Sequence, residues 1–233
     1  MEPHELLERY EALGNEHDFL AAKPLFERAL AEGPDADLLL QYGYLLECHG
    51  RNELRQAVAQ YEQAIEHDPH ADKPVYQLVN AYTCLREPER AVALCEARLA
   101  AAPGDLREHR FLASAYLLAR DYNNAKSIIE AGLALKADDA KLIADRGELK
   151  AATGDPDGAL ADWANALELD TDDIGALYSS AFLLEREGRI ANAIEAWQSI
   201  LAWAEARGNT LDTEWPKRET GRLKASQKPG ELG

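Results

Sequence analysis

The sequence predicts an all-α fold: an α-solenoid of stacked helix-turn-helix units, closed by a C-terminal helix. Three observations predict it. A small residue recurs as Ala22, Ala57, Ala91, Ala125, Ala159 and Ala193, in steps of 35, 34, 34, 34 and 34. Four residues after each stands a bulky or apolar side chain, Phe26, Tyr61, Cys95, Ile129, Trp163 and Trp197. Upstream of these pairs, large residues recur as Leu13, Leu46, Tyr82, Tyr116 and Leu184, with Lys150 breaking the series. Such a period marks one supersecondary unit copied along the chain, each copy covering the core its neighbour would expose.

Residues 106–139 show one unit whole. Its first helix sets Leu112, Ala113 and Tyr116 on one face, a turn follows at Arg120 and Asp121, and the second helix carries Ala125, Ile129 and Gly132. Small residues three places before the large ones include Gly43, Ala113, Gly147 and Ala181, so that the two helices of a unit can approach closely. The third unit departs from this with Val79, and with Arg98 where a second small residue is expected. Pro34, Pro69 and Pro103 close the first three units, and Ala137, Thr171 and Glu205 stand there in the last three. Asp37, Asp72, Asp105, Asp139 and Asp173 are read as caps of first helices, with Asp105 and Glu108 in capping-box spacing. Asp121 and Asp155 precede second helices, and Pro156 suits a first helical turn. The longer 50–57 interval predicts an enlarged turn in the second unit. The last second helix runs over 190–207, with Gly208 as its stop. A loop at 209–212 then leads to a capping helix over 213–225, on which Leu211, Trp215 and Leu223 form an apolar stripe, and 227–233 is read as a flexible tail.

Composition narrows the function. With 46% hydrophobic and 29% charged residues the chain can bury a core, and no run of about 18 apolar residues is present to span a membrane. The start, MEPHELLERYEAL, lacks the basic and apolar regions of a signal peptide, so a cytoplasmic location is expected. The net charge of −17 disfavours nucleic acid and anionic membranes as partners. Cys48, Cys84 and Cys95 form no C-x-x-C pair and are read as reduced, buried thiols, Cys48 and Cys84 at equivalent places in neighbouring units. His4, His17, His49, His67, His70 and His109 are scattered, and His109 falls where the unit wants a packed residue. The His67-Asp68-Pro69-His70 stretch reads as a unit-closing turn rather than a metal site. With no phosphate loop, dinucleotide fingerprint or G-x-S-x-G, the expectation is a protein that is not an enzyme and carries no cofactor.

The 34-residue period and the W-x2-L-G-x2-Y…A-x3-F…P pattern resemble the tetratricopeptide repeat family over residues 3–205, in six units of about 3–36, 37–71, 72–105, 106–139, 140–173 and 174–208. The resemblance implies a right-handed solenoid whose first helices line a concave groove that holds a partner peptide or protein segment. In that frame Lys73, Arg107, Arg110 and Lys141 bring four cations to the face of the third to fifth units. Tyr76, Asn80 and Ser114 add hydrogen-bonding groups, and Tyr44, Tyr178 and Phe182 add aromatic surface. This content suits an acidic segment or a C-terminal carboxylate. The plain alternative is a solvated face whose cations pair with Asp72, Asp105, Glu108 and Asp145. The carboxylate clamp of tetratricopeptide co-chaperones is matched only in part, since Tyr44, Phe111 and Asp145 stand where polar or basic groups belong. The rival function is a structural scaffold or assembly factor, a homo-oligomer that self-associates through its terminal repeats or cap.

Overall fold

The recurring alanines are the packing points. Ala22, Ala57, Ala91, Ala125, Ala159 and Ala193 are all at 0% exposure, and no partner four residues on exceeds the 2% of Trp163. A computed structural model describes residues 16–50, 54–171, 173–207 and 213–226, and every regular element among them is helical. The helices are α1 (Glu16–Glu32), α2 (Ala36–His49), α3 (Leu54–His67), α4 (Asp72–Cys84), α5 (Pro88–Ala101), α6 (Leu106–Leu118), α7 (Tyr122–Leu135), α8 (Ala140–Thr153), α9 (Pro156–Leu169), α10 (Ile174–Arg186), α11 (Ile190–Ala206) and α12 (Glu214–Ser226). They fall into two units, Met1–Asp121 and Tyr122–Gly233. The expected first helix near Leu13, the loop at 209–212 and the tail at 227–233 lie outside the described residues.

In the first unit each helix from α1 to α6 packs on the next, and the first helices α2, α4 and α6 also pack in sequence. Helix α2 can lie close to α3 because Gly43 has no side chain: a Cβ there would stand 2.5 Å from the Tyr61 ring. Where Val79 replaces the glycine, the second helix carries the small Cys95 instead, and both are buried. The phenols recur with a purpose. Tyr82 donates to Glu62 and Tyr116 to Glu96, each at 2.5 Å and each across 20 residues, so a first helix is tied to the second helix before it. Burial and the carboxylate together push the Tyr116 phenol up to about 12.

Arg98, the expected misfit, is held by Glu108. Its Nε and Nη2 donate to the two carboxylate oxygens at 2.8 and 2.7 Å, and its Nη1 donates to the Pro69 carbonyl at 3.1 Å. Glu108 therefore does not close a capping box. Asp105 accepts from Arg107 N, while Glu108 faces α5. Two further cap readings are corrected. Helix α2 is capped by Asp35 rather than Asp37, and α4 starts from Ala71 with Asp72 inside its first turn. The thiols divide, with Cys95 buried and Cys84 exposed.

The second unit stacks α7 to α12 in order, with α8 packed on α10. Trp163 and Trp197 fill it, and Gly147 lies against Trp163, where an added Cβ would be 2.6 Å from Nε1. Asp139, Asp155 and Asp173 cap α8, α9 and α10 through backbone N–H groups three residues on. Lys150 breaks the large-residue series because its ammonium lies 2.7 Å from the buried Asp162, which Arg146 also grips at 2.9 and 2.7 Å. Burial alone would raise the Asp162 carboxyl, but these two cations hold it below its ordinary value. Helix α12 lays Leu223 into a cluster with Ala181, Leu184, Ala193, Ile194, Trp197 and Ile200. It covers core that the last helix pair would otherwise expose.

The turn between the helices of a pair is itself periodic. Arg86, Arg120, Gly154 and Gly188, spaced by 34, all have positive φ, of 64°, 60°, 91° and 69°. After each, a backbone N–H reaches back to the first helix: Glu87 to Tyr82, Asp121 to Tyr116, Asp155 to Lys150 and Arg189 to Leu184. This is a left-handed helix stop that satisfies an orphan carbonyl, and glycine adopts it with the least strain.

Candidate functional site: the first-helix faces

The site residues expected from the sequence fall on the first helices of both units. In the first unit α2 carries Tyr44, α4 carries Lys73, Tyr76 and Asn80, and α6 carries Arg107, Arg110 and Ser114. The spacing i, i+3, i+7 sets each trio along one helix face. The buried side of α4 is made by Pro74, Val75, Leu78, Val79, Ala81 and Tyr82, so the trio emerges opposite the core. Tyr76 is 57% exposed and Lys73 is exposed beside it, while Asn80, Arg110, Ser114 and Tyr44 are half-buried.

Arg107 has structural work. Its Nη2 donates to Asp105 Oδ2 at 2.7 Å, and its Nη1 reaches Asp72 Oδ1 at 3.2 Å and the His70 carbonyl at 3.3 Å. The start of α6 is thereby fastened to the start of α4. The Arg107 guanidinium in turn holds the Asp105 carboxyl below its ordinary value. In the 67–70 turn, Asp68 Oδ1 accepts from His70 N at 3.0 Å. His109 is buried with its Nδ1 3.1 Å from the Asp105 carbonyl, as a packed histidine should be.

The second unit contributes Lys141 from α8 and Tyr178 and Phe182 from α10. Its charge differs from the expected basic face. Lys141 Nζ lies 3.0 Å from Asp173, so its charge is matched at the helix start. Further along α8 come Asp145 and Glu148, and Glu148 accepts a short hydrogen bond from Ser179 on α10. Asp145 keeps part of its surface open but is crowded by protein atoms and by Glu148 and Asp173. Burial first, and then those negative neighbours, push its carboxyl up to about 8 against the pull of Lys141. Burial likewise raises Glu148.

That shift sets a pH dependence. A carboxyl raised on folding adds stability that is fully present below its unfolded value near 3.8 and is lost as pH rises through about 8. Asp145→Asn is expected to stabilise the protein by on the order of 1–3 kcal/mol at pH 8.5 and by much less at pH 5. Urea midpoints of both proteins at the two pH values check this, and a variant equal to wild type at pH 8.5 refutes it.

Aromatic surface completes the second face. Tyr178 and Phe182 stack at 6.4 Å, and Trp215 from α12 lies over them, 5.4 Å from Tyr178 and 5.7 Å from Phe182. Trp197 supports all three from the core at 5.3 to 5.8 Å. Phe182 and Trp215 nonetheless remain 48% and 41% exposed. The sequence signals Trp215 as packing for the cap and, where exposed, as a surface for self-association. Among the described residues, no group of three or more His, Cys, Asp or Glu is placed to hold a metal ion, and no helix is long and apolar enough to cross a membrane.

No family model matches the chain, and no curated protein does. Solved structures do. A thermophilic tetratricopeptide protein of Thermus thermophilus, TTC0263, is 20% identical with a TM-score of 0.62, over 82% of this chain and 99% of that one. A tetratricopeptide repeat protein from Parabacteroides merdae ATCC 43184 is 15% identical with a TM-score of 0.55, over 95% and 93%. The APC/C hetero-tetramer Cut9-Hcn1 gives a TM-score of 0.60 at 15% identity over 97% of this chain, which spans 43% of the matched one. At these identities the likeness is one of fold: an all-α stack of tetratricopeptide-like helix pairs.

Proposed function

We propose that this chain is a non-enzymatic protein-interaction module of six tetratricopeptide units and a capping helix, holding an extended acidic partner segment on its first-helix face. The fold supports a general role in protein–protein interaction. The observation that carries the finer reading is Tyr76, more than half exposed on α4 between Lys73 and Asn80. An aromatic ring, a flexible ammonium and an amide on one helix face can cover a peptide, hold its carboxylate and bond its backbone. Helix α6, packed alongside, supplies Arg110 and Ser114. Arg107 serves the α4–α6 clasp, its charge matched by Asp105 and Asp72. In the second unit Lys141, Tyr178 and Phe182 lie beside Glu148 and Asp145, and the acidic segment is not assigned to them.

The test is Lys73→Glu with Tyr76→Ala, which leaves the Arg107 clasp intact. Fluorescence anisotropy with a panel of acidic peptides ending in a free carboxylate should show saturable binding by wild type. The double variant should bind about tenfold more weakly, a change of about 1.4 kcal/mol, at an unchanged melting temperature. Equal binding by the two proteins, or equal binding of acidic and neutral peptides by wild type, defeats the assignment. Self-association through the terminal repeats or cap is the second reading, favoured by the exposure of Trp215.

A further inference from the structure

We infer that the Tyr178–Phe182–Trp215 surface, together with Glu148 and Asp145, docks a cationic side chain, an arginine presented by a basic segment of a partner protein. The inference shares with the preceding reading only the premise that first-helix faces bind partners, and it assigns the second unit an occupant of opposite charge.

Three aromatic rings on a surface are an unusual use of apolar area, and here they are arranged rather than scattered. Trp215 is nearly parallel to Tyr178, with 22° between the planes, and is tilted by 46° to Phe182. Its position is fixed from outside by Nε1 donating to Glu219 at 3.1 Å, and Glu219 is held in turn by Arg222 at 2.6 Å. The Trp197 ring, fully buried, meets Tyr178 and Phe182 edge-on and sets the floor. The rings are thus pre-positioned, which spares a ligand the cost of ordering them. Phe182 and Trp215 keep surface open to solvent.

The charge beside the rings selects the occupant. Ser179, one position after Tyr178 and three before Phe182, donates to Glu148, which brings that carboxylate to the same stretch of α10. Asp145 lies one turn earlier on α8. The nearby cations are already engaged, Lys141 with Asp173 and Arg222 with Glu219 and Glu185. An incoming anion would meet the Glu148 carboxylate, whereas a cation would favour the ionised form of Glu148 and of Asp145, whose carboxyl the crowding lifts to about 8. Ring faces also attract cations, and the planar guanidinium can stack on Trp or Tyr while donating to a carboxylate. Arginine fits this combination better than a purely apolar residue, which would desolvate the Glu148 carboxylate without matching its charge.

The experiment uses the full chain and three synthetic probes: acetyl-Gly-Arg-Gly-Arg-Gly amide, the same peptide with citrulline for arginine, and the same with glutamate. Tryptophan fluorescence and calorimetry follow the titrations. The arginine peptide should bind about tenfold or more tightly than the citrulline peptide, which matches its shape without its charge. Phe182→Ala and Glu148→Gln should each weaken the arginine peptide several-fold with helicity unchanged, and Lys73→Glu with Tyr76→Ala should leave it unaffected. Loss of acidic-peptide binding in the first unit alongside this result would defeat that reading and spare this one. Equal binding of arginine and citrulline peptides, tighter binding of the glutamate peptide, or no saturation with any of them overturns the inference. So does a concentration-dependent dimer in sedimentation that Phe182→Ala abolishes, since the face would then be covered by a second copy.

Discussion

Arg98→Ala should cost the first unit about 3–5 kcal/mol, among the largest losses available to a single substitution in this chain. The side chains of Arg98 and Glu108 are only 14% and 6% exposed, and they meet through two parallel hydrogen bonds. Truncating the arginine leaves the Glu108 carboxylate in a site that excludes water, and it also removes the donor to the Pro69 carbonyl. The pair itself is worth far less than its breakage, because taking two charges out of water costs desolvation that their attraction only offsets. Arg98→Met with Glu108→Leu should therefore recover most of the loss. Chemical denaturation of wild type, the single variant and the double variant decides it. A single variant within about 1 kcal/mol of wild type would show that water reaches the carboxylate.

Gly147→Val should destabilise the second unit by about 3 kcal/mol, through overpacking rather than loss of a contact. The first added carbon would meet Trp163 at Nε1 and Cδ1, 2.6 and 2.8 Å away, and the ring cannot retreat without releasing the Ala144 carbonyl, to which Nε1 donates at 3.2 Å. Gly221 in α12 is the control, since nothing lies within 4 Å of its would-be Cβ. Gly221→Ala should be neutral or stabilising by up to about 1 kcal/mol. Adding Trp163→Leu to Gly147→Val should recover part of the loss, and thermal melts of the four proteins test the scheme. If Gly147→Val melts with wild type, the helices of this pair separate easily and the close approach has no energetic weight.

The fold was legible because packing repeats a volume requirement every 34 residues, and Ala22 through Ala193 record it. Polar bonds between helices leave no such record. Nothing about Arg98 and Glu108, ten residues apart, distinguishes a buried bidentate pair from a misfit and a capping box. Lys150 reads as a broken series until Asp162 is seen beneath it. Asp37 and Asp72 were read as caps from position alone, although Asp35 and Ala71 occupy the turns. The first-helix rows were legible as rows of residues, since helical spacing sets them. The sign of their charge was not, because it depends on which cations are engaged: Arg107 with Asp105 and Asp72, Lys141 with Asp173.

A chain of near-identical parts runs a risk that dissimilar domains escape: while folding, a helix can dock against the wrong copy of its partner. The matched volumes inside each pair act against this. Tyr61 fits over Gly43 and Trp163 over Gly147, with ring atoms where a Cβ would stand. Brought against α4, either ring would collide with Val79. Brought against α2 or α8, Cys95 would leave a void where an aromatic belongs. The α4–α5 pair is thus kept from exchanging helices with either ring-over-glycine pair, and a departure from the consensus helps hold the order of the copies as it is written in the chain.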